Sequence, residues 1–244
     1  MLIERQRNVA IVLNPKVAST FFRAFVVDGY REQWNRTDPS EGRYGLFRFA
    51  RRFPFAPIVD YANALAKPGE YEAFTFVRNP YSRLRSAWVD KFLHGHQRGY
   101  ARSVRQKHLA VLRRFARKNG LEGAEDGSLV PFETLLALVE AYPPGAIDHH
   151  WDRQTSVTLS GHFPKMTAFR IEDQMEDGFT AIFYKRFNWD PAWVAARFQL
   201  NTISRRNSGS ADVAVYNEAL AERVYRAFFT DFEKFGYSPD SWRE

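Results

Sequence analysis

Residues 8–20 read Asn8-Val9-Ala10-Ile11-Val12-Leu13 and then Asn14-Pro15-Lys16-Val17-Ala18-Ser19-Thr20. The first part is a short apolar run rich in β-branched residues, which predicts a buried strand over residues 8–14. The polar turn leads into an apolar stretch that predicts a helix over residues 18–28. A helix N-terminus offers unpaired backbone N–H groups and a partial positive charge. A strand, a turn and a helix start in this order are therefore typical of a phosphate-binding loop.

Three polar side chains of the loop support this interpretation. Lys16 adds a full positive charge, and Ser19 and Thr20 add hydroxyl groups that cap the helix or donate to an anion. A lysine in such a loop is also common as a solvated surface residue. The loop lacks the G-x-x-x-x-G-K-[ST] pattern of the Walker A motif, which disfavours an ordinary nucleoside triphosphatase.

A second informative stretch reads Phe74-Thr75-Phe76-Val77-Arg78-Asn79-Pro80-Tyr81-Ser82-Arg83-Leu84-Arg85-Ser86. It ends a predicted interior strand over residues 71–78 and begins a helix, because Asn79 is a good N-cap residue and Pro80 suits the first helical position. Ligands of open parallel sheets lie beyond the carboxyl ends of the strands. If the two predicted strands are neighbours, residues 15–20 and 78–86 face one crevice.

Arg78 and Arg83 could then clamp a terminal phosphate, and Ser86 could donate a hydroxyl group to it. The alternative is a structural ion pair, which is common for an arginine at the end of a strand. The order of the two stretches carries more weight than either alone.

The rest of the chain predicts an α/β fold in which strands alternate with helices around a parallel sheet covered on both faces. The length of 244 residues fits a single domain over residues 1–244. The further predicted elements are helices at 58–66, 100–118, 132–141, 173–187 and 212–235 and a strand at 166–171. Residues 30–57 are predicted to be a long irregular segment, part of which is expected either to carry function or to pack as an excursion from the fold.

The composition contains no cysteine, which excludes disulfides and thiolate sites. There is neither a signal-peptide pattern nor an apolar run of membrane-spanning length, so we expect a soluble, cytoplasmic protein. The net charge of +7 favours anionic partners. Residues 98–118 carry many basic residues and no acidic one, and they are open to three interpretations: a solvated helix face, a surface for an anionic glycan or lipid headgroup, or a nucleic-acid surface. Nucleic acid is not expected, because no nucleic-acid motif accompanies the segment.

Four segments resemble sulfotransferases that use 3′-phosphoadenosine 5′-phosphosulfate (PAPS). Residues 15–20 resemble their 5′-phosphosulfate loop, and residues 78–86 resemble their 3′-phosphate motif. The chain looks closest to the carbohydrate sulfotransferases of the chondroitin and HNK-1 type, sulfotransferase family 2. Two further matches carry this: Asp148, His150-Trp151 and Gln154 match an acidic–x–His-Trp–x–x–Gln signature, and Asp231-Phe232-Glu233-Lys234-Phe235-Gly236-Tyr237 matches a C-terminal Asp-Phe…Phe-Gly-Tyr ending.

The chain also departs from that group at several positions. Asn79 stands where the family usually has aspartate, and Ala18-Ser19 stands where Gly-Cys or Gly-Ser is common. The animal members have a membrane anchor and cysteines, and this sequence shows neither. The sequence therefore looks like a soluble bacterial relative.

The resemblance implies a three-layer, P-loop-NTPase-like sulfotransferase fold with PAPS as co-substrate, the bisphosphate PAP as product, and no metal. It implies that Lys16 stabilises charge on the bridging oxygen while the loop holds the sulfate and the 5′-phosphate. In the wider superfamily a late basic loop covers the 3′-phosphate, and Arg205 and Arg206 are the candidates here. The implied donor-binding residues are Pro15, Lys16, Val17, Ala18, Ser19, Thr20, Arg78, Arg83, Ser86, Arg205 and Arg206.

An acceptor hydroxyl group needs a general base, and histidine is the natural candidate near neutral pH. His150 is the first choice because it lies in the matched signature, and His149 is its nearest competitor. A structural role for a histidine beside a tryptophan is an equally open alternative. The remaining candidates are His94, His96, Glu32, Asp38 and Glu41.

The leading hypothesis is thus sulfuryl transfer from PAPS to a hydroxyl group of a glycan or glycolipid by in-line displacement. Peripheral contact with the inner face of a membrane is expected if the acceptor sugar is lipid-linked. The acceptor, the position sulfated and the oligomeric state are left open. Two alternatives are a nucleotide-dependent kinase and a basic polyanion-binding protein that keeps the fold without turnover.

Overall fold

The computed structural model describes residues 1–4, 7–19, 21–22, 25–26, 28–29, 58–93, 100–125, 129–203 and 214–243. These residues form a mixed α/β protein. The strands are β1 (Leu2–Glu4), β2 (Val9–Val12), β3 (Glu72–Val77) and β4 (Met166–Arg170). The helices are α1 (Ile58–Ala66), α2 (Pro80–Trp88), α3 (Tyr100–Asn119), α4 (Phe132–Ala141), α5 (Gln154–Val157), α6 (Met175–Phe179), α7 (Pro191–Ile203), α8 (Glu218–Ala227) and α9 (Phe229–Phe235).

The four strands form one sheet in the order β1-β2-β3-β4. The pairs β2–β3 and β3–β4 are parallel, which confirms that the first two predicted strands are neighbours. Strand β1 pairs antiparallel with β2, so the prediction of a wholly parallel sheet is wrong at this edge. Three residues are too few to produce a periodic pattern, which explains why the sequence did not reveal this strand. The three-layer, P-loop-like arrangement stays a prediction.

Several helices begin and end where the sequence predicts. Helix α2 begins at Pro80, and the Asn79 side chain caps it by accepting a hydrogen bond from the backbone N–H of Tyr81 at 2.9 Å. Helix α4 covers the predicted residues 132–141. The predicted helix over 173–187 begins at Met175 and continues from Thr180 to Arg186 in π-helical geometry.

Two predictions for the C-terminal part need correction. The single long helix predicted over 212–235 is two helices, because the backbone at Phe228 leaves helical geometry with φ −114° and ψ 20° between α8 and α9. The sequence also predicts a polar, basic loop over residues 201–210, and this is wrong for its first three residues, because α7 continues to Ile203.

The chain divides into two compact units, the first comprising Met1–Val77 with Thr158–Arg205 and the second Arg78–Val157 with Arg206–Glu244. The first unit contains the sheet. One of its two apolar clusters is rich in aromatic rings, among them Phe22, Phe25, Phe76, Phe179 and Phe183. The single domain over residues 1–244 stays a prediction.

The second unit has an apolar core of its own. Its buried residues come from helices and from the loops that carry Val130 and Trp151, and they include Tyr81, Trp88, Leu135 and Phe232. Within the described residues, no helix combines the length and the apolar character needed to cross a membrane.

Candidate functional site

The loop after β2 is held at both ends by the first unit. The buried side chain of Asn14 donates from Nδ2 to the carbonyl oxygen of Phe76 on β3 at 3.2 Å. Val17, which is 3% exposed, packs into the aromatic cluster of that unit. The carbonyl of Ala18 accepts from the N–H of Phe22 at 2.9 Å, so the helix after the loop begins at Ser19, as predicted to within a residue.

The backbone of this loop is unusual. Lys16 has φ 67° and Ala18 has φ 50°. These are left-handed backbone conformations that residues other than glycine rarely adopt. Left-handed residues in a turn direct neighbouring N–H groups toward one side and create concavities that suit anions. The conformation of the loop therefore fits the phosphate-binding role that the sequence predicts for residues 15–20. Thr20 itself lies outside the described residues.

Arg78 follows β3 directly and opens the second unit. Its backbone is fixed by the side-chain amide of Gln154: the N–H of Arg78 donates to Oε1 at 2.9 Å, and Nε2 of Gln154 donates to the carbonyl of Arg78 at 2.7 Å. The Arg78 side chain lies along α2 and donates from Nε to Oγ of Ser82 at 3.0 Å. The residue is partly buried.

Arg83 and Ser86, the other two residues of the predicted 3′-phosphate motif, are both buried. The guanidinium group of Arg83 is 1% exposed and donates to the carbonyl oxygens of Asp152 at 2.6 Å and His149 at 2.8 Å. Burial lowers the pKa of Arg83 to about 10, while Asp231 and Asp152 oppose that shift, so the group stays charged at neutral pH. These contacts fix the loop that carries the candidate base.

Asp231 joins two of the matched signatures. It is fully buried at the beginning of α9, and its carboxylate accepts from the N–H of Gln154 at 2.7 Å and from the N–H of Thr155 at 2.8 Å. The hydroxyl group of Thr155 donates to it as well, at 2.9 Å. Burial raises the pKa of Asp231, against these hydrogen bonds and the nearby charge of Arg83. Asp231 thus holds Gln154, and Gln154 holds the backbone of Arg78.

The candidate base His150 lies in the same loop, beside Asp148. Its Nδ1 is 2.6 Å from Oδ1 of Asp148, and its backbone N–H donates to the same oxygen at 2.9 Å. A carboxylate can only accept, so Nδ1 carries the proton and Nε2 keeps the lone pair that a base requires. Oδ2 of Asp148 lies 3.1 Å from Nε2 of His108 on α3.

The ionisation of this group follows from burial and hydrogen bonding. Burial lowers the pKa of His150, and the opposing effect of its hydrogen bond to Asp148 does not cancel that shift. Burial alone would raise the pKa of Asp148, but hydrogen bonds from His108 and His150 outweigh it and bring the pKa well below its usual range. At neutral pH Asp148 is therefore ionised and His150 is neutral.

The sequence analysis missed His108 and the connecting roles of Gln154 and Asp231. His108 stands among arginines and lysines, and no spacing rule relates residue 108 to residue 148. Several named candidates lie outside the described residues, so the structure gives no account of them: Thr20, Glu32, Asp38, Glu41, His94, His96, Arg205 and Arg206.

Comparison with known proteins identifies the family. The sequence profile described as the sulfotransferase family matches residues 1–238. The chain belongs to the sulfotransferase family. It is also 28% identical over 174 residues to carbohydrate sulfotransferase 8 of Mus musculus, which covers 69% of this chain and 40% of that protein. This chain therefore spans well under half of that relative. No solved structure matches the chain.

Proposed function

We propose that this family member is a PAPS-dependent sulfotransferase that transfers a sulfuryl group to a hydroxyl group of a carbohydrate or glycolipid. The family match over residues 1–238 carries the proposal. It is supported by the two predicted anion-binding motifs, which follow adjacent parallel strands at their carboxyl ends. The name of the mouse relative supports a glycan acceptor.

The loop of residues 15–20 is proposed to bind the 5′-phosphosulfate. Backbone N–H groups of the left-handed turn and of the following helix start would donate to the sulfate and phosphate oxygens, with the hydroxyl groups of Ser19 and Thr20. Lys16 would stabilise the negative charge that develops on the bridging oxygen as the sulfur–oxygen bond breaks. Anchoring of the loop by Asn14 supports this role, since a preorganised site loses less energy in reorganisation.

Arg78 and Ser86 are proposed to bind the 3′-phosphate, with Arg205 and Arg206 closing over it. Arg83 belongs to the proposed donor site through the same motif. The hydrogen bonds of its guanidinium group to two carbonyl oxygens of the loop favour a supporting part over direct phosphate contact. Arg78 is thus the principal cation of the described part of this motif.

His150 is the proposed general base. Its Nε2 would accept the proton of the acceptor hydroxyl group as the acceptor oxygen forms its bond to sulfur, and the bond from sulfur to the 5′-phosphate oxygen breaks in line. The imidazolium that results is stabilised by Asp148, which already accepts the Nδ1–H. No metal ion takes part in the proposed reaction.

Turnover of PAPS tests the proposal. Wild type incubated with PAPS and a panel of neutral and anionic glycans should release PAP with at least one acceptor. Lys16→Ala should reduce the rate by a factor on the order of 100 or more, as removal of one transition-state donor does elsewhere. Lys185→Ala, a change at an exposed lysine of the same unit, is the matched control and should keep the rate.

The same experiment separates the alternatives. No PAP release with any acceptor, together with polyanion binding that survives Lys16→Ala, would favour the polyanion-binding protein. ATP binding that is stronger than PAP binding would favour the kinase.

A further inference from the structure

The cluster formed by His108, Asp148 and His150 contains one residue with no assigned role. His108 lies on the inward side of α3 and contacts Oδ2 of Asp148, whereas His150 contacts Oδ1; the centroids of the two imidazole rings are 5.7 Å apart. The ring of His108 packs edge-on against Trp151, the buried tryptophan of the same signature, with 5.1 Å between the ring centroids. His108 is thus held by two residues of the signature loop.

We infer that His108 is a positioning residue for the base: its Nε2–H holds the carboxylate of Asp148 in the orientation that fixes His150 with Nε2 unprotonated. The expected effect of His108 on the rate of turnover rests on the proposed function. The geometry on which the inference depends, one carboxylate shared by two imidazoles, is independent of the substrate.

The surroundings of His108 show which of its nitrogens donates. Its side chain is 13% exposed, and its Nδ1 is buried without a hydrogen-bond partner among the described residues. Its Nε2 faces Oδ2 of Asp148 at 3.1 Å, and a carboxylate can only accept, so Nε2 carries a proton and donates it to Asp148.

A shared metal ion is the competing explanation, since the three ligand atoms lie within 4.8 Å of one another. Ligand atoms bound at ~2.0–2.2 Å to a tetrahedral zinc ion are ~3.3–3.6 Å apart. The separation of 2.6 Å between Nδ1 of His150 and Oδ1 of Asp148 is too short for that and fits a direct hydrogen bond. The distances thus favour a proton over a metal ion at this position.

Other charged groups also face His150, and they affect its pKa. Asp148 raises its pKa, whereas Lys91 from the π-helical segment after α2 and His149, whose ring stacks on His150, lower it. His108 acts on it through Asp148. Removal of the His108 N–H leaves the negative charge of Asp148 offset by fewer donors, which stabilises the imidazolium form of His150 even when the carboxylate is no longer held toward Nδ1, so the pKa of His150 should rise.

The test compares His108→Ala with His108→Gln, whose side-chain amide offers an N–H where Nε2–H stood. Two-bond ¹⁵N–¹H correlation spectra of histidine-labelled protein report the tautomer and titration of each ring. In His108→Ala the midpoint of the His150 titration should move to higher pH and the Nδ1–H tautomer should be less populated. His108→Gln should restore both. His162→Gln, which changes an exposed histidine bonded to a backbone carbonyl, should alter neither.

Turnover gives a second measurement. His108→Ala should lower kcat about tenfold, as loss of an outer partner of a functional histidine does elsewhere. The acidic limb of the pH–rate profile should move to higher pH, and affinity for PAP should be unchanged. Spectra that are identical in wild type and His108→Ala would overturn the inference. So would stoichiometric Zn²⁺ binding to both rings with loss of activity on chelation. If no PAPS turnover is found, the spectra still decide the role of His108.

Discussion

Ala18 occupies a backbone conformation that suits glycine, at the position where related loops commonly have glycine. Its φ of 50° lies in the left-handed region, and so does that of Lys16. The sequence identifies this loop and its departure from the common pattern, but it does not reveal whether the backbone changes with the residue. The structure shows that the turn is left-handed with alanine at this position, beside the anchored residues Asn14 and Val17.

This strain leads to a stability prediction. Ala18→Gly should raise the free energy of unfolding by about 1 kcal/mol, because the relief of left-handed strain exceeds the added entropy of the unfolded chain. Ala110→Gly, at an exposed position inside α3, should lower it by about 1 kcal/mol, since glycine is a poor helix former. Chemical denaturation of both variants measures the two effects. A less stable Ala18→Gly would show that the loop is not strained at this residue.

At the scale of elements, the break between α8 and α9 explains the C-terminal signature. The residues Leu220, Val224, Phe228 and Phe232 keep a helical spacing across the break, so periodicity predicts one helix. At this break Nε of Arg153 donates to the carbonyl oxygen of Ala227, the last residue of α8, at 2.9 Å. Asp231 on the new helix then accepts from the N-terminal N–H groups of α5. Such long-range hydrogen bonds leave no periodic trace in a sequence.

Asp231→Asn tests this junction. The amide has one acceptor oxygen instead of two, so its NH₂ group would face a backbone N–H of residue 154 or 155. We expect a loss of about 2 kcal/mol or more in the free energy of unfolding. PAP binding should weaken as well, because Gln154 fixes the backbone of Arg78.

Asp240→Asn is the matched control, since this exposed carboxylate pairs with Arg243 at the surface. It should change the free energy of unfolding by no more than about 1 kcal/mol. Equal thermal denaturation curves for the two variants would show that Asp231 does not hold the junction.

For the whole molecule, the chain passes from one compact unit to the other between Val77 and Arg78. The loop of residues 13–19 therefore belongs to the first unit and the 78–86 motif to the second. The sequence shows which residues are apolar and at what spacing, but not which apolar faces share a core, so it could not reveal this division. The net charge of +7 is consistent with an anionic nucleotide but does not select one.

The assignment of the two motifs to two phosphates of one nucleotide leads to a binding prediction. PAP and adenosine 5′-monophosphate differ only in the 3′-phosphate. Wild type should prefer PAP by about 10- to 100-fold, the range expected for hydrogen bonds to a charged group. Arg78→Ala should lose most of this preference while its affinity for the monophosphate stays close to that of wild type, because the backbone hydrogen bonds to Gln154 do not involve the side chain.

Lys16→Ala should weaken the binding of both nucleotides by the same factor, since both carry the 5′-phosphate. Isothermal titration calorimetry of PAP and the monophosphate with wild type, Arg78→Ala and Lys16→Ala gives the change in affinity for each pair of ligand and variant. These changes show which motif binds which phosphate. Arg243→Ala, a change at an exposed arginine of the second unit, should leave the preference intact. If Arg78→Ala still prefers PAP over the monophosphate, the 78–86 motif does not bind the 3′-phosphate. If wild type does not bind PAP, the hypothesis of a nucleotide site is wrong. The polyanion-binding hypothesis would then explain the positive charge of the protein better.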